Sequence, residues 1–115
     1  MKQAAEHIGT LLSLPAINAV VGDDVYWELA DAATVAPFLT YSVRAQPRMT
    51  KEGLRTYEVA VRVFTPTLNT SAEIGDVVNQ AITANSNWRE QGVQTGYIDA
   101  EAKEAYLELT YTFKL

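Results

Sequence analysis

Residues 54–66, LRTYEVAVRVFTP, alternate polar and apolar side chains without a break, and a half-buried strand is the conformation that satisfies such a period. Tyr57, Val59, Val61 and Val63 then share one face, with Thr56, Glu58, Ala60, Arg62 and Phe64 on the other. β-branched and aromatic side chains suit a pleated surface, and Pro66, which has no N–H for a ladder, marks the end. A second run, residues 38–46, places Leu39, Tyr41, Val43 and Ala45 on one face and Phe38, Thr40, Ser42, Arg44 and Gln46 on the other. PRMTKEG, residues 47–53, joins the two runs and reads as a hairpin with an extended tip. The register that sets Leu39, Tyr41 and Val43 opposite Val63, Val61 and Val59 also sets Phe38 opposite Phe64 and Arg44 opposite Glu58. Aromatic and opposite-charge pairs across strands each contribute about 0.2–1 kcal/mol, which favours this register over one shifted by two.

Helical periods frame these strands. Over residues 2–13, Ala5, Ile8, Leu11 and Leu12 fall on one face and Lys2, Gln3, Glu6 and Thr10 on the other, with Gly9 weakening the helix by about 1 kcal/mol relative to Ala. Pro15 opens a short second helix through Val20 that ends near Gly22, and Gly22, Asp23 and Asp24 form a turn. Residues 25–28 predict a short strand and 29–36 a surface loop. After Pro66, Thr70 as N-cap and Glu73 three residues on match a capping box, and Ile74, Val77, Val78, Ala81 and Ile82 make the apolar stripe. Asn85, Ser86 and Asn87 supply the stop. From about Gly92, Val93, Thr95 and Tyr97 alternate, residues 99–103 turn the chain, and Ala105, Leu107, Leu109, Tyr111, Phe113 and Leu115 alternate to the last residue. The expectation is one α+β domain over residues 1–115, in the order α-β-β-β-α-β-β, its helices packed on one face of a largely antiparallel sheet. The other face carries Phe38, Phe64, Ile98 and Tyr106 among charges and hydroxyls, a composition that suits cover by another subunit.

Charge and chemistry narrow the function. At 115 residues and 48% hydrophobic the chain holds enough for one core, and a net charge of −5 argues against gripping duplex nucleic acid through clustered cations. There are 0 cysteines, which excludes disulfides and thiolate metal sites. MKQAAEHIGTLLSL is interrupted by Glu6, His7 and Gly9 and lacks a signal peptide's apolar core, and no run approaches the about 20 apolar residues that span a bilayer, so a soluble protein made in the cytosol is expected. His7 is the 1 histidine, which rules out a histidine metal cluster; it reads as an ordinary surface or helix-face residue. Asp23 with Asp24, and Glu101 with Glu104, read as solvated turns, and the glycines form no phosphate loop. Neither a catalytic residue nor a cofactor is expected. Arg48, Lys51 and Arg55, close to Arg44 and Arg62, gather basic charge around one hairpin. Either they keep a loop soluble or, with Met49 between cations, they meet an acidic partner surface. Trp27 and Trp88 are interface anchors or partly buried core residues.

The whole pattern resembles the phage tail completion proteins, the tail terminators of long-tailed bacteriophages. The resemblance lies in the N-terminal helix followed by LPAINAVVGDDVYWEL, in PFLTYSV over residues 37–43, in the long alternating strand before a capped helix, and in the closing alternating strand. The chain departs from the family at Asp23 and Asp24, where many members carry a basic residue, and in its long PRMTKEG hairpin. The resemblance implies a structural virion protein of the tail or neck, assembled in the host cytoplasm. Such a protein caps the finished tail tube as a ring of commonly six copies, ends polymerisation and joins the tail to the head connector. Its partners would be further copies of itself, the tail tube protein and a head-completion or connector protein; DNA would pass without specific binding, and no membrane or cofactor is involved. Arg48, Met49, Lys51 and Arg55 are the candidate partner-contact hairpin, and Phe38, Arg44, Glu58, Arg62, Phe64 and Tyr106 the candidate subunit-interface face. The alternatives are another neck or tail component, such as a head-completion protein or tube subunit, and a small ligand-binding or enzymatic α+β domain using Tyr26, Glu28 and Tyr57.

Overall fold

The two alternating runs pair as their side chains require. In the computed structural model, which describes residues 2–22, 25–27, 37–49, 53–99 and 104–114, β2 (Phe38–Met49) and β3 (Arg55–Thr65) are antiparallel. Phe38 lies opposite Phe64, Tyr41 opposite Val61 and Arg44 opposite Glu58, the register expected from the two faces together. Around them lie α1 (Lys2–Leu12), α2 (Pro15–Val21), β1 (Val25–Trp27), α3 (Leu68–Asn85), β4 (Arg89–Asp99) and β5 (Glu104–Lys114). The strands form one 5-stranded sheet in the order β1-β2-β3-β5-β4. All its pairings are antiparallel except β1 with β2, where Val25 lies opposite Leu39.

Several boundaries differ from the sequence reading. The chain begins with the two helices that Pro15 announces, bent by 75° at the break, so the element order carries a second helix before β1 that the expected α-β-β-β-α-β-β left out. β2 runs on to Met49, past the expected end at Gln46; the pairing slips between Ala45 and Met49, around Pro47, which has no N–H for the ladder. α3 starts at Leu68. Its N-cap is Thr67, at φ −133 and ψ 153, whose side chain accepts from the Thr70 N–H at 3.2 Å, so Thr70 and Glu73 do not form the capping box. The reason is local: Thr65 Oγ1 donates to the Thr67 carbonyl at 2.6 Å and shares a 2.6 Å hydrogen bond with Ser71 Oγ, which draws the chain into the helix directly after Pro66. β4 begins at Arg89, before Gly92, and includes Asp99. The turn at Asp23 and Asp24, residues 28–36, Lys51, Glu101 and Leu115 lie outside the described residues.

The core lies between the helices and one sheet face. Leu39, Val59, Val61, Val63, Leu109 and Tyr111 meet Ile8, Leu12, Ile17, Val78 and Ile82 there, each fully buried or nearly so. Burying such a side chain contributes about 1.5–3 kcal/mol. α3 buries Ser71, Ile74, Gly75, Val78, Ala81 and Ile82, while Val77, expected in the stripe, is only half-buried. Small residues set this rotation: a Cβ at Gly75 would stand 2.7 Å from Leu107 Cδ2, so the helix backbone sits close on β5. Trp88 belongs to the core, 5% exposed, its ring stacked on Phe113 at 5.0 Å. His7, on the helix face, accepts a 3.1 Å hydrogen bond at Nε2 from Trp88 Nε1 and so ties α1 to the segment between α3 and β4.

Candidate functional site: the uncovered sheet face and its basic end

Strand parity places every second residue of β2, β3 and β5 on the face away from the helices, and the pairings align these residues in rows across the sheet. One row is aromatic. Tyr26 meets Phe38 edge-on at 6.5 Å, Phe38 stacks on Phe64 at 4.8 Å and 16°, and Phe64 lies 6.4 Å from Tyr106. The Tyr106 ring ends the row above Gly96, where a Cβ would come within 2.9 Å of the phenol oxygen. Phe38, Phe64 and Tyr106 are all half-buried without any helix above them.

The next rows change character. Thr40, Arg62, Glu108 and Gln94 lie side by side, and Arg62 Nε contacts Glu108 Oε2 at 2.6 Å. Ser42, Ala60, Thr110 and Gly92 form a row of small side chains. Beyond it Arg44, Glu58, Thr112 and Arg89 align, with Arg44 Nη2 at 3.3 Å from Glu58 Oε2. Exposed ion pairs of this kind contribute at most about 1 kcal/mol to stability, so they matter more for what the face can recognise than for holding it together. The six residues expected to form a subunit interface, Phe38, Arg44, Glu58, Arg62, Phe64 and Tyr106, therefore do share one continuous face. Ile98 lies in β4, and its side chain is outside the described set.

The hairpin residues are only partly assembled. Arg48 and Met49 close β2, and Arg55 opens β3 opposite Met49. Two cations that sequence reasoning missed join this end of the sheet. Lys114 lies opposite Thr56 and Arg89 opposite Thr112, lining a groove of ≈ 370 Å³ with Thr56, Asn87, Thr112 and Phe113. The outward parity of Lys114 was readable, but nothing local joins it to residue 56.

A second cavity, of ≈ 240 Å³, lies between the N-terminal helices and the sheet and is lined by Gly9, Leu12, Ser13, Asn18, Gly22, Val25 and Tyr41. The alternative site from Tyr26, Glu28 and Tyr57 is not assembled: Tyr26 shares the uncovered face with Phe38, Tyr57 is 8% exposed beneath the helices, and Glu28 is outside the described residues. Among the described residues no group of His, Cys, Asp or Glu could hold a metal ion.

Fold and face together define an α+β domain with one face buried under helices and one graded from aromatic to charged. No protein-family model matches the chain, and no curated protein matches it in sequence. In structure it is similar to a chain in the virion of a native gene transfer agent (GTA) particle, with a TM-score of 0.66 and 15% sequence identity over 97% of this chain and 92% of that one. At that identity the likeness is one of fold.

Proposed function

We propose that the protein is a non-enzymatic structural component of a virion, a tail terminator that closes the tail tube as a ring and joins it to the head connector. The observation that carries this is the full-length likeness to a chain of a gene transfer agent virion; the resemblance of LPAINAVVGDDVYWEL and PFLTYSV to tail completion proteins supplies the finer position. The uncovered face supports it. A closed ring requires heterologous contacts, in which one patch meets a different patch on the next copy, and a half-buried aromatic row flanked by ion pairs has the makeup of such an interface. The neighbours are then further copies, the tail tube protein and a connector or head-completion protein, in a particle assembled in the host cytoplasm. A net charge of −5 lets DNA pass the ring without being held.

The test is complementation of tails that lack a terminator, read by electron microscopy, with native mass spectrometry of the purified protein over a wide concentration range. Wild type is expected to cap the tails at uniform length and to form rings there or alone. The Phe38→Ser/Phe64→Ser double variant should fold yet fail to close rings. A folded wild-type protein that neither binds tail tips nor limits tail length overturns the terminator assignment. Binding to filled heads instead of tails would assign it to head completion, the second position compatible with a virion chain of this fold.

A further inference from the structure

The cations of this acidic chain gather at one end of the strands, where Glu58 and Glu90 are the acidic residues among them within the described residues. Of its 9 lysines and arginines, Arg44, Arg48, Arg55, Arg89 and Lys114 sit where β2 ends, β3 begins, β4 begins and β5 ends, which antiparallel pairing makes one end of the sheet. The opposite end holds Asp99 paired with Glu104 in the ladder, and Glu73 and Asp76 lie in the half of α3 nearer that end. Arg44 is engaged with Glu58, but Arg55, Arg89 and Lys114 make no ion pair among the described residues. Arg89 and Lys114 are exposed and border the ≈ 370 Å³ groove, together with the hydroxyls of Thr56 and Thr112 and the Asn87 amide. Thr112 Oγ1 already accepts from Gln91 Nε2 at 3.2 Å, which leaves its own proton to give. Two cations and three neutral donor groups thus border one open groove, whose volume lies in the lower part of the about 300–1,000 Å³ range of ligand clefts.

We propose that this groove, between the ends of β3, β4 and β5, is a docking site for an acidic polypeptide segment of a neighbouring virion protein, with Arg89 and Lys114 pairing its carboxylates. The choice of a virion partner rests on the function proposed above. Duplex DNA fits less well, because two groove-lining cations on a chain of net charge −5 give few phosphate contacts. A second copy bringing its own Asp99 and Glu104 end is complementary in charge, but end-to-end contact along the strands propagates into an open stack, which a component that ends polymerisation would not form. The site would orient the molecule: its basic end toward the acidic partner, its acidic end away from it.

The experiment uses the full chain and a labelled short polyglutamate peptide, followed by fluorescence anisotropy at low and near-physiological salt. Wild type is expected to bind the peptide with an affinity that falls as salt shortens the Debye length toward about 8 Å. Arg89→Gln with Lys114→Gln should weaken binding by about tenfold, because it removes both cations that border the groove. Lys2→Gln, on α1, should leave it unchanged, and circular dichroism melts should coincide for all three proteins. Unaltered peptide binding by the double variant overturns the site. Tighter binding of a duplex oligonucleotide than of the peptide overturns the ligand class, and concentration-dependent stacks that the double variant abolishes overturn the choice of partner. Because the peptide reads the groove without any tail, a protein that binds it yet fails to cap tails refutes the terminator assignment alone.

Discussion

Tyr111 shows how a single buried residue couples packing to pH. Its side chain is fully buried, its hydroxyl donates to Asn79 Oδ1 at 2.6 Å, and its ring lies 5.6 Å from Trp88. Burial, and secondly the negative charge of Glu90, push its phenol well above the ordinary 10.0. Burial raises Tyr41 in the same direction from 10.0. With both pKa values higher in the folded protein, the unfolded chain loses these protons first as pH rises. Their contribution is therefore complete below the ordinary phenol pKa and is lost above it. Urea unfolding is expected to show no decline from these two groups up to about pH 10 and a steep decline beyond. Tyr111→Phe should remove most of the alkaline slope while lowering stability at neutral pH by about 0.5–1.5 kcal/mol, the net worth of one hydrogen bond. An unchanged alkaline slope in the variant would show that other groups govern it.

At the scale of elements, α3 is anchored by its first turn. Thr67 accepts from the Thr70 N–H, and Thr70 Oγ1 in turn lies 2.9 Å from Thr67 Oγ1. Thr67→Ala is expected to cost about 1 kcal/mol, whereas Glu73→Ala, at the position where a capping box would need it, should cost no more than a few tenths. Thermal melts of the two variants decide between the caps, and equal losses would restore the capping box. The helix itself was legible from its apolar period, but its start was not, because Thr65, Thr67 and Ser71 form a network between a strand end and a helix that no local pattern announces. β2, β3 and β5 were legible because one face of each is covered, which enforces alternation. The register of β2 against β3 was legible because the apolar pairs and the Arg44 to Glu58 pair ask for the same alignment. The start of β4 was not: residues 89–95 are exposed on both faces, so burial imposes no period on them.

For the whole molecule, the division into a packed face and a recognition face explains what the sequence could disclose of the site. Phe38, Phe64 and Tyr106 were visible as outward aromatics by parity alone, whereas Arg89 and Lys114 meet the hairpin only through the pairing of β5 with β3 and β4. The hydrophobic core lies on the other side, where one cluster takes residues from α1, α2 and α3 and from β2, β3 and β5. The N-terminal helices are therefore not an appendage. Leu12 is 0% exposed in that cluster, and its truncation leaves a cavity against the sheet. Leu12→Ala is expected to destabilise the entire domain by about 2–5 kcal/mol, a large share of the about 5–15 kcal/mol typical of a domain. Helical circular dichroism and tryptophan fluorescence, which reports on Trp88 beneath His7 together with Trp27 of β1, should fall in a single coincident transition in wild type and variant alike. Two separated transitions, with fluorescence lost first, would mean that α1 and α2 unfold on their own. The uncovered face would then be the more rigid part of the molecule, and assembly through it would survive loss of the N-terminal helices. Coincident transitions tie that face to every helix, so that any core truncation large enough to unfold the domain also removes its capacity to assemble.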